Sequence, residues 1–202
     1  MSILGGKTAK KNIGIFLGIV IVAFGIYFIV RATRSGGVSA EFLEARKEAA
    51  GVSARIVDLT NYTSDKIRAV NYSEFAGDAE RALTFIREAN ASNQEAYAQV
   101  FELTKHLQRL AESLSSMGAS ELRGRAYDAI STELSLVSEF ILYTQKLNIF
   151  LEKLGKTIAT GSVADRAVAD MALQAANEQA TRINEINQEF NVKMQAFDQA
   201  LQ

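Results

Sequence analysis

Apolar residues recur every three or four positions through most of this chain, and the pattern is clearest between residues 75 and 117. Thirteen positions there keep steps of four and three, and twelve of them are apolar. They are Phe75, Ala79, Ala82, Ile86, Ala89, Asn93, Ala96, Val100, Leu103, Leu107, Leu110, Leu114 and Met117. This spacing places a single stripe along a helix, as in helices that pack by coiled-coil-like contacts. The one polar member, Asn93, is predicted to belong to a buried polar layer.

The same periodicity on either side of this segment predicts four helices. Their expected bounds are 39–70, 73–117, 120–160 and 162–202. Asn71 and Glu74 resemble a capping box that would start the second helix, and Gly118 and Gly161 would end the second and third. The chain contains no proline, which favours long uninterrupted helices. Because the connections are very short, we expect an all-α fold in which neighbouring helices are antiparallel.

The third helix is predicted to be apolar on two faces. The second of these comprises Leu134, Val137, Ile141, Thr144, Asn148 and Leu151. A helix apolar over so much of its circumference touches several neighbours or contributes to an oligomer interface. Thr144 falls at the height of Asn93 if the preceding turn is centred near residue 118, so we expect the two residues to share the polar layer. Glu139 and Lys146 argue against a membrane span here.

A different segment is typical of a membrane helix. Residues 13–30 form a run of eighteen without a charge or an amide, roughly 27 Å as a helix. Cations lie on both sides: Lys7, Lys10 and Lys11 before the run, and Arg31 and Arg34 after it. The sequence therefore predicts a basic tail (1–12), a single transmembrane helix that acts as a signal anchor, a juxtamembrane linker (31–38) and the helical bundle.

Two other interpretations fit the run less well. A cleaved secretory signal would use Val38-Ser39-Ala40, but this site lies well beyond the run, and the run is longer than the usual apolar region of a signal peptide. A pilin-like N-terminus trimmed after Gly6 would have its cations before the cut, whereas the three lysines follow it. A membrane anchor remains favoured, with the pilin-like filament subunit as a minor alternative.

Orientation and self-association of the anchor can also be read from the sequence. Three lysines closely precede the run against two arginines closely after it, which favours a cytoplasmic N-terminus and an extracytoplasmic bundle. Gly14 and Gly18 form a GxxxG pair, and Gly25 lies on the same face. Small residues let two membrane helices approach closely, so this stripe predicts a transmembrane self-association site.

Charge and composition narrow the partners and the chemistry. Residues 1–37 hold five of the 22 basic side chains and none of the 23 acidic ones, which leaves an acidic bundle unsuited to nucleic acid. Cysteine is absent, and His106 is the only histidine; the sequence predicts for it a surface ion pair with Glu102. No catalytic, cofactor or metal motif is visible, so we expect a non-enzymatic protein without a cofactor or metal.

The layout resembles the four-helix sensor domains of chemoreceptors, which also follow an N-terminal membrane helix. That resemblance is architectural and implies, at most, a small-molecule sensor or accessory binding domain. The favoured expectation is a single-pass membrane protein with a structural, scaffolding or protein-interaction role. Its expected partners are membrane lipid, for the anchor, and either another protein or a second copy of the chain.

Overall fold

The computed structural model describes residues 39–116 and 120–201, and this part of the chain forms a bundle of four antiparallel helices. The helices are α1 (Ala40–Ala76), α2 (Ala79–Ser113), α3 (Ser120–Thr160) and α4 (Val163–Ala200). A short 3₁₀ turn, Leu114–Ser116, follows α2. The predicted all-helical bundle is thereby confirmed for these residues, which contain no β-strand.

Short polar side chains cap three of the helix starts. The hydroxyl of Ser39 accepts a hydrogen bond from the amide of Phe42 at 3.2 Å, and the carboxylate of Asp78 accepts one from the amide of Arg81 at 3.0 Å. Ser162 caps α4 in the same way, accepting from the amide of Asp165 at 3.1 Å. Each cap satisfies an amide that has no partner within its own helix.

The turn between α1 and α2 lies later than the sequence pattern predicts. The expected cap at Asn71 is wrong, because α1 continues to Ala76. Gly77 then adopts a left-handed conformation (φ 77°), and its amide donates to the carbonyl of Glu74 at 3.1 Å. Only glycine takes this conformation without a steric penalty, so the chain turns there and Asp78 caps α2. As a result Phe75 belongs to α1 and is 81% exposed, outside the apolar stripe of α2.

The four helices close into a ring of neighbours. α2 packs between α1 and α3, and α3 packs in turn against α4. Contact between α1 and α4 is made by side chains near both ends. The rings of Phe42 and Phe197 lie 5.7 Å apart at the end that holds both chain termini of the bundle, and Glu74 pairs with Arg166 at 2.9 Å at the other. α3 therefore lies diagonally opposite α1.

The core follows the predicted stripes along each helix. From Ala82 to Leu114 every stripe position of α2 is buried. The largest fully buried side chains include Phe140, Tyr143 and Phe150 of α3, so α3 fills much of the interior. None of the helices in 39–116 and 120–201 has a stretch apolar enough to span a bilayer, and the predicted transmembrane helix (13–30) lies outside these residues.

Candidate functional site

A buried polar contact joins α2 and α3 near the middle of the bundle. Asn93 is 4% exposed and Thr144 is 2% exposed. The side-chain amide of Asn93 donates a hydrogen bond of 2.9 Å to the carbonyl oxygen of Thr144. The hydroxyl of Thr144 instead donates to the carbonyl of Ile141, at 2.8 Å. The structure therefore brings these two sequence-predicted residues together, but through the backbone of Thr144 rather than its side chain.

The polar layer continues into α1, where residues 60–66 (TNYTSDK) are polar apart from Tyr62. Thr60, Thr63 and Ser64 are buried there. The hydroxyl of Thr63 donates to the carbonyl of Leu59 at 2.9 Å, and Ser92 of α2 donates to the same carbonyl at 2.9 Å. Threonine and serine side chains can be buried when their hydroxyls donate to backbone carbonyls. The burial of these residues was not predicted from the sequence, although this property allows it.

On the α4 side, the layer consists of side chains bonded to one another. Gln179 is 6% exposed and accepts a hydrogen bond from the ammonium of Lys146 at 2.7 Å. Its amide donates to the carboxylate of Glu139, which is also paired with Arg182 at 2.8 Å. These contacts tie α3 to α4 at their shared edge; the sequence drew attention to Glu139 and Lys146 only as charges within an apolar helix and did not predict their contacts with Gln179.

A second polar group lies closer to the end that holds the chain termini. Glu133 of α3 is 8% exposed, and burial raises the pKa of its carboxyl from 4.5 to about 7, although the charge of Arg46 opposes the shift. Arg46 of α1 pairs with Asp198 of α4 at 2.9 Å. Glu133 continues the stripe Ala126, Ile130, Glu133, Val137 at steps of four and three, and that position could have revealed its burial.

His106 lies beside an ion pair between α1 and α2. Its Nδ1 atom lies 3.2 Å from the carboxylate of Glu48, which Arg109 also contacts. The predicted pairing with Glu102 is wrong, because Glu102 pairs with Lys105 at 2.7 Å instead. His106 lies on the side of α2 next to α1, so its acidic neighbour is Glu48 of that helix and not a residue of α2. Among the described residues, no group of three or more His, Cys, Asp or Glu side chains is placed to hold a metal ion.

Aromatic side chains gather on the surface at the end of the bundle opposite the termini. Tyr72 is 78% exposed, and it borders a groove of about 300 Å³ together with Arg81 and Phe85. The guanidinium of Arg81 lies 5.6 Å from the ring centroid of Phe85, and the ammonium of Lys66 lies 5.3 Å from the same centroid. Cations over aromatic faces hold this surface in a defined arrangement.

The glycines of the predicted transmembrane stripe, Gly14, Gly18 and Gly25, lie outside the described residues. No protein family model, curated protein or solved structure matches this chain.

Proposed function

We propose that this protein is held in the cytoplasmic membrane by a single helix, residues 13–30, and that its bundle projects from the outer face in a structural, scaffolding or protein-interaction role. One observation carries the proposal. Two large aromatic side chains are exposed at the end of the bundle opposite the start of α1: Tyr72 is 78% exposed and Phe75 is 81% exposed. Aromatic residues are enriched in the interfaces of protein complexes.

The connectivity supports this arrangement. Nine residues (31–39) separate the apolar run from the start of α1 at Ala40, and the turns at Gly77 and Gly161 lie at the opposite end of the bundle. With α3 about 60 Å long, at ~1.5 Å per residue, an anchored bundle would carry its aromatic end well away from the lipid surface. A partner protein in the surrounding space would meet that end first.

A second candidate function is a small-molecule sensor or accessory binding domain. The groove beside Tyr72 favours it, because its volume of about 300 Å³ falls at the lower end of ligand-pocket sizes. Aromatic rings and the guanidinium of Arg81 would suit a small anionic or aromatic ligand. Shifts of amide resonances confined to this groove, on addition of a small-molecule library, would favour the sensor role over the interaction role.

Membrane anchoring is tested by fractionation of the full chain. It should stay in membranes that have been washed with alkaline carbonate. Replacing Ile21 and Phe24 with lysine should release it, because two charges within the apolar run make insertion unfavourable. The matched control replaces Thr181 and Gln188, both exposed on α4, with lysine and should stay in the membrane. Release of the unaltered chain by carbonate would contradict the anchor.

Orientation and partner binding need separate measurements. Protease added to intact spheroplasts should digest the bundle, whereas protection until lysis would place the bundle inside the cell. Cross-linking in intact membranes should trap a partner at the aromatic end. Replacing Tyr72 and Phe75 with serine should abolish that adduct, while Val192→Ser, an exposed change on α4, should leave it. An adduct insensitive to the aromatic changes would contradict this surface as the binding site.

A further inference from the structure

The outer face of α3 lacks charge over an unusual length. Between Asp128 and Glu152 the helix carries only three ionisable acidic or basic side chains: Glu133, Glu139 and Lys146. Glu133 is buried, and the other two bond to Gln179 of α4. Residues 129–151 therefore expose a charge-free face about 34 Å long, at ~1.5 Å per residue. We call it the neutral face.

Three exposed aliphatic side chains lie on the neutral face, among polar but uncharged ones: Ser131, Ser135, Ser138, Gln145 and Asn148. Leu134, Leu142 and Ile149 are 40%, 44% and 47% exposed. Serines lie between them, and the hydroxyls of Ser135 and Ser138 donate to carbonyls one turn earlier in α3, at 3.1 Å and 3.0 Å. Because these hydroxyls are already bonded, a partner could cover them without supplying polar groups of its own.

The other helices do not share this character. The exposed face of α4 includes Glu178, Arg182, Glu185 and Glu189, which line a shallow surface groove. α1 exposes Arg55, which pairs with Glu95 of α2 at 2.6 Å. A solvated helix face normally carries charges of this kind. The neutral face of α3 lacks such charges, which indicates that a partner covers it.

We infer that the neutral face is the contact surface for a second copy of this chain, with the two α3 helices side by side and parallel. A charged partner would lose the hydration of its charges against this face without gaining an ion pair. A second copy instead brings an equally neutral face at the same height. A two-fold interface uses the same patch on both copies, and the aliphatic side chains of one copy can pack beside the small serines of the other.

The chain that precedes α1 is long enough for such a pair. α3 lies diagonally opposite α1, so the two α1 helices would be on the outer sides of the dimer. Residues 31–39 can span at most about 30 Å in each copy, which lets two membrane segments meet beneath the paired bundles. The short face predicts weak association in solution, and confinement of both copies to one membrane would raise their effective concentration.

This inference names the partner within the proposed interaction role, and single cysteines test it. Because the chain has no cysteine, Ser131→Cys, Ser138→Cys and Gln145→Cys each supply one thiol, seven residues apart on the neutral face. The matched controls are Thr181→Cys, Gln188→Cys and Gln195→Cys on α4, which are also exposed and seven apart. Full-length variants would be reconstituted in phosphatidylcholine–phosphatidylglycerol vesicles and oxidised with copper phenanthroline.

We expect disulfide dimers to form about tenfold faster at the α3 positions than at the α4 positions. Adding Leu142→Lys to the Ser138→Cys variant should reduce its dimer to the α4 level, while Val192→Lys, on α4, should not. Leu142 is already 44% exposed, so its replacement leaves the core filled, and unchanged helicity would verify this. Equal rates on both helices, or no effect of Leu142→Lys, would overturn the inference.

Two further outcomes are distinguishable. Disulfides between Ser131→Cys and Gln145→Cys chains, with none between two Ser131→Cys chains or two Gln145→Cys chains, would mean antiparallel pairing and would overturn the parallel arrangement. Flotation of the same vesicles separates this inference from the proposed anchor. If the chain floats with the vesicles but shows no α3 preference, the second copy is the wrong partner and the anchor is supported. If the chain does not float, the anchor fails, and the ratio of α3 to α4 cross-linking in buffer still decides the neutral face.

Discussion

The side-chain amide of Asn93 on α2 donates a hydrogen bond of 2.9 Å to the backbone carbonyl of Thr144 on α3. Every residue of a helix offers such a carbonyl, so the side chain at 144 is not what Asn93 recognises. A slip of α3 by one heptad would present another carbonyl at the same place. The register of these helices must therefore depend mostly on the short turns and on the sizes of the surrounding apolar side chains.

A pair of substitutions separates these contributions. Asn93→Leu should keep or raise the free energy of unfolding, since the carbonyl retains its helical hydrogen bond and a buried leucine adds about 1–2 kcal/mol of apolar burial. Thr144→Val should change stability by less than about 1 kcal/mol, because the carbonyl remains. Urea denaturation of the full chain in detergent, followed by circular dichroism, gives both values. A loss of several kcal/mol in Asn93→Leu would mean that the polar layer is structurally essential.

The carboxyl of Glu133 should make stability depend on pH. Burial raises its pKa to about 7 in the folded chain, so the folded state binds this proton more tightly than the unfolded state. The resulting stabilisation is complete below pH 4.5 and is lost as pH rises through about 7. Over this window the group can remove up to about 3 kcal/mol from the free energy of unfolding.

Glu133→Gln should flatten this dependence and stabilise the bundle at pH 8, because a neutral amide replaces a buried charge. Glu185→Gln, which removes an exposed carboxylate from α4, should leave the slope as it is. Urea midpoints between pH 5 and pH 8.5 measure the effect. An unchanged slope in Glu133→Gln would assign the pH dependence to other groups.

Two glycines should respond oppositely to alanine. Gly77 has a φ of 77°, so Gly77→Ala should cost about 1 kcal/mol through steric strain. Gly51 lies within α1, and a methyl group there would meet nothing within 4 Å. Gly51→Ala should therefore stabilise the chain by about 0.5–1 kcal/mol through helix propensity. Thermal midpoints that move the same way in both variants would contradict this assignment.

The bundle should fold without the preceding segment. The fragment 38–202 is expected to be highly helical and to unfold cooperatively on heating, since the apolar stripes are complete without residues 1–37. Circular dichroism and sedimentation of the purified fragment test this. Low helicity, or aggregation at micromolar concentration, would show that the bundle needs its anchor.

The predicted membrane helix should associate through its glycines. Gly18→Ile should abolish association of the isolated span in a membrane two-hybrid assay, because the larger side chain separates the two backbones. A change at Ile15, which lies away from the glycine stripe, should matter less. If Gly18→Ile associates as well as the parent, any oligomer must be built by the bundle, and the neutral face of α3 would then carry it alone.

Apolar periodicity was sufficient to predict the helical bundle but not its polar details. The stripe from Ala82 to Leu114 is buried as spacing alone indicates. The prediction that Phe75 lies on the stripe of α2 was wrong. The capping pattern at Asn71 does not end α1, which continues to Ala76 and ends at the left-handed Gly77. Thr63 and Glu133 were missed for another reason. Glu133 occupies a stripe position that indicates burial, but the charge of Arg46 that acts on it comes from another helix, and Thr63 is buried by donating to the carbonyl of Leu59 in its own helix.

The uninterrupted path of α1 has a mechanical consequence. This helix enters at the base of the bundle and reaches its far end in a single run of 37 residues. Tension between a bound partner near Phe75 and a membrane anchor would act along the helix axis. Pulling α1 out would then require its side chains to slide past α2 and α4 together, in shear, instead of peeling away one at a time. Because Arg46 of α1 forms an ion pair with Asp198 of α4 near the base, part of the force would pass to α4.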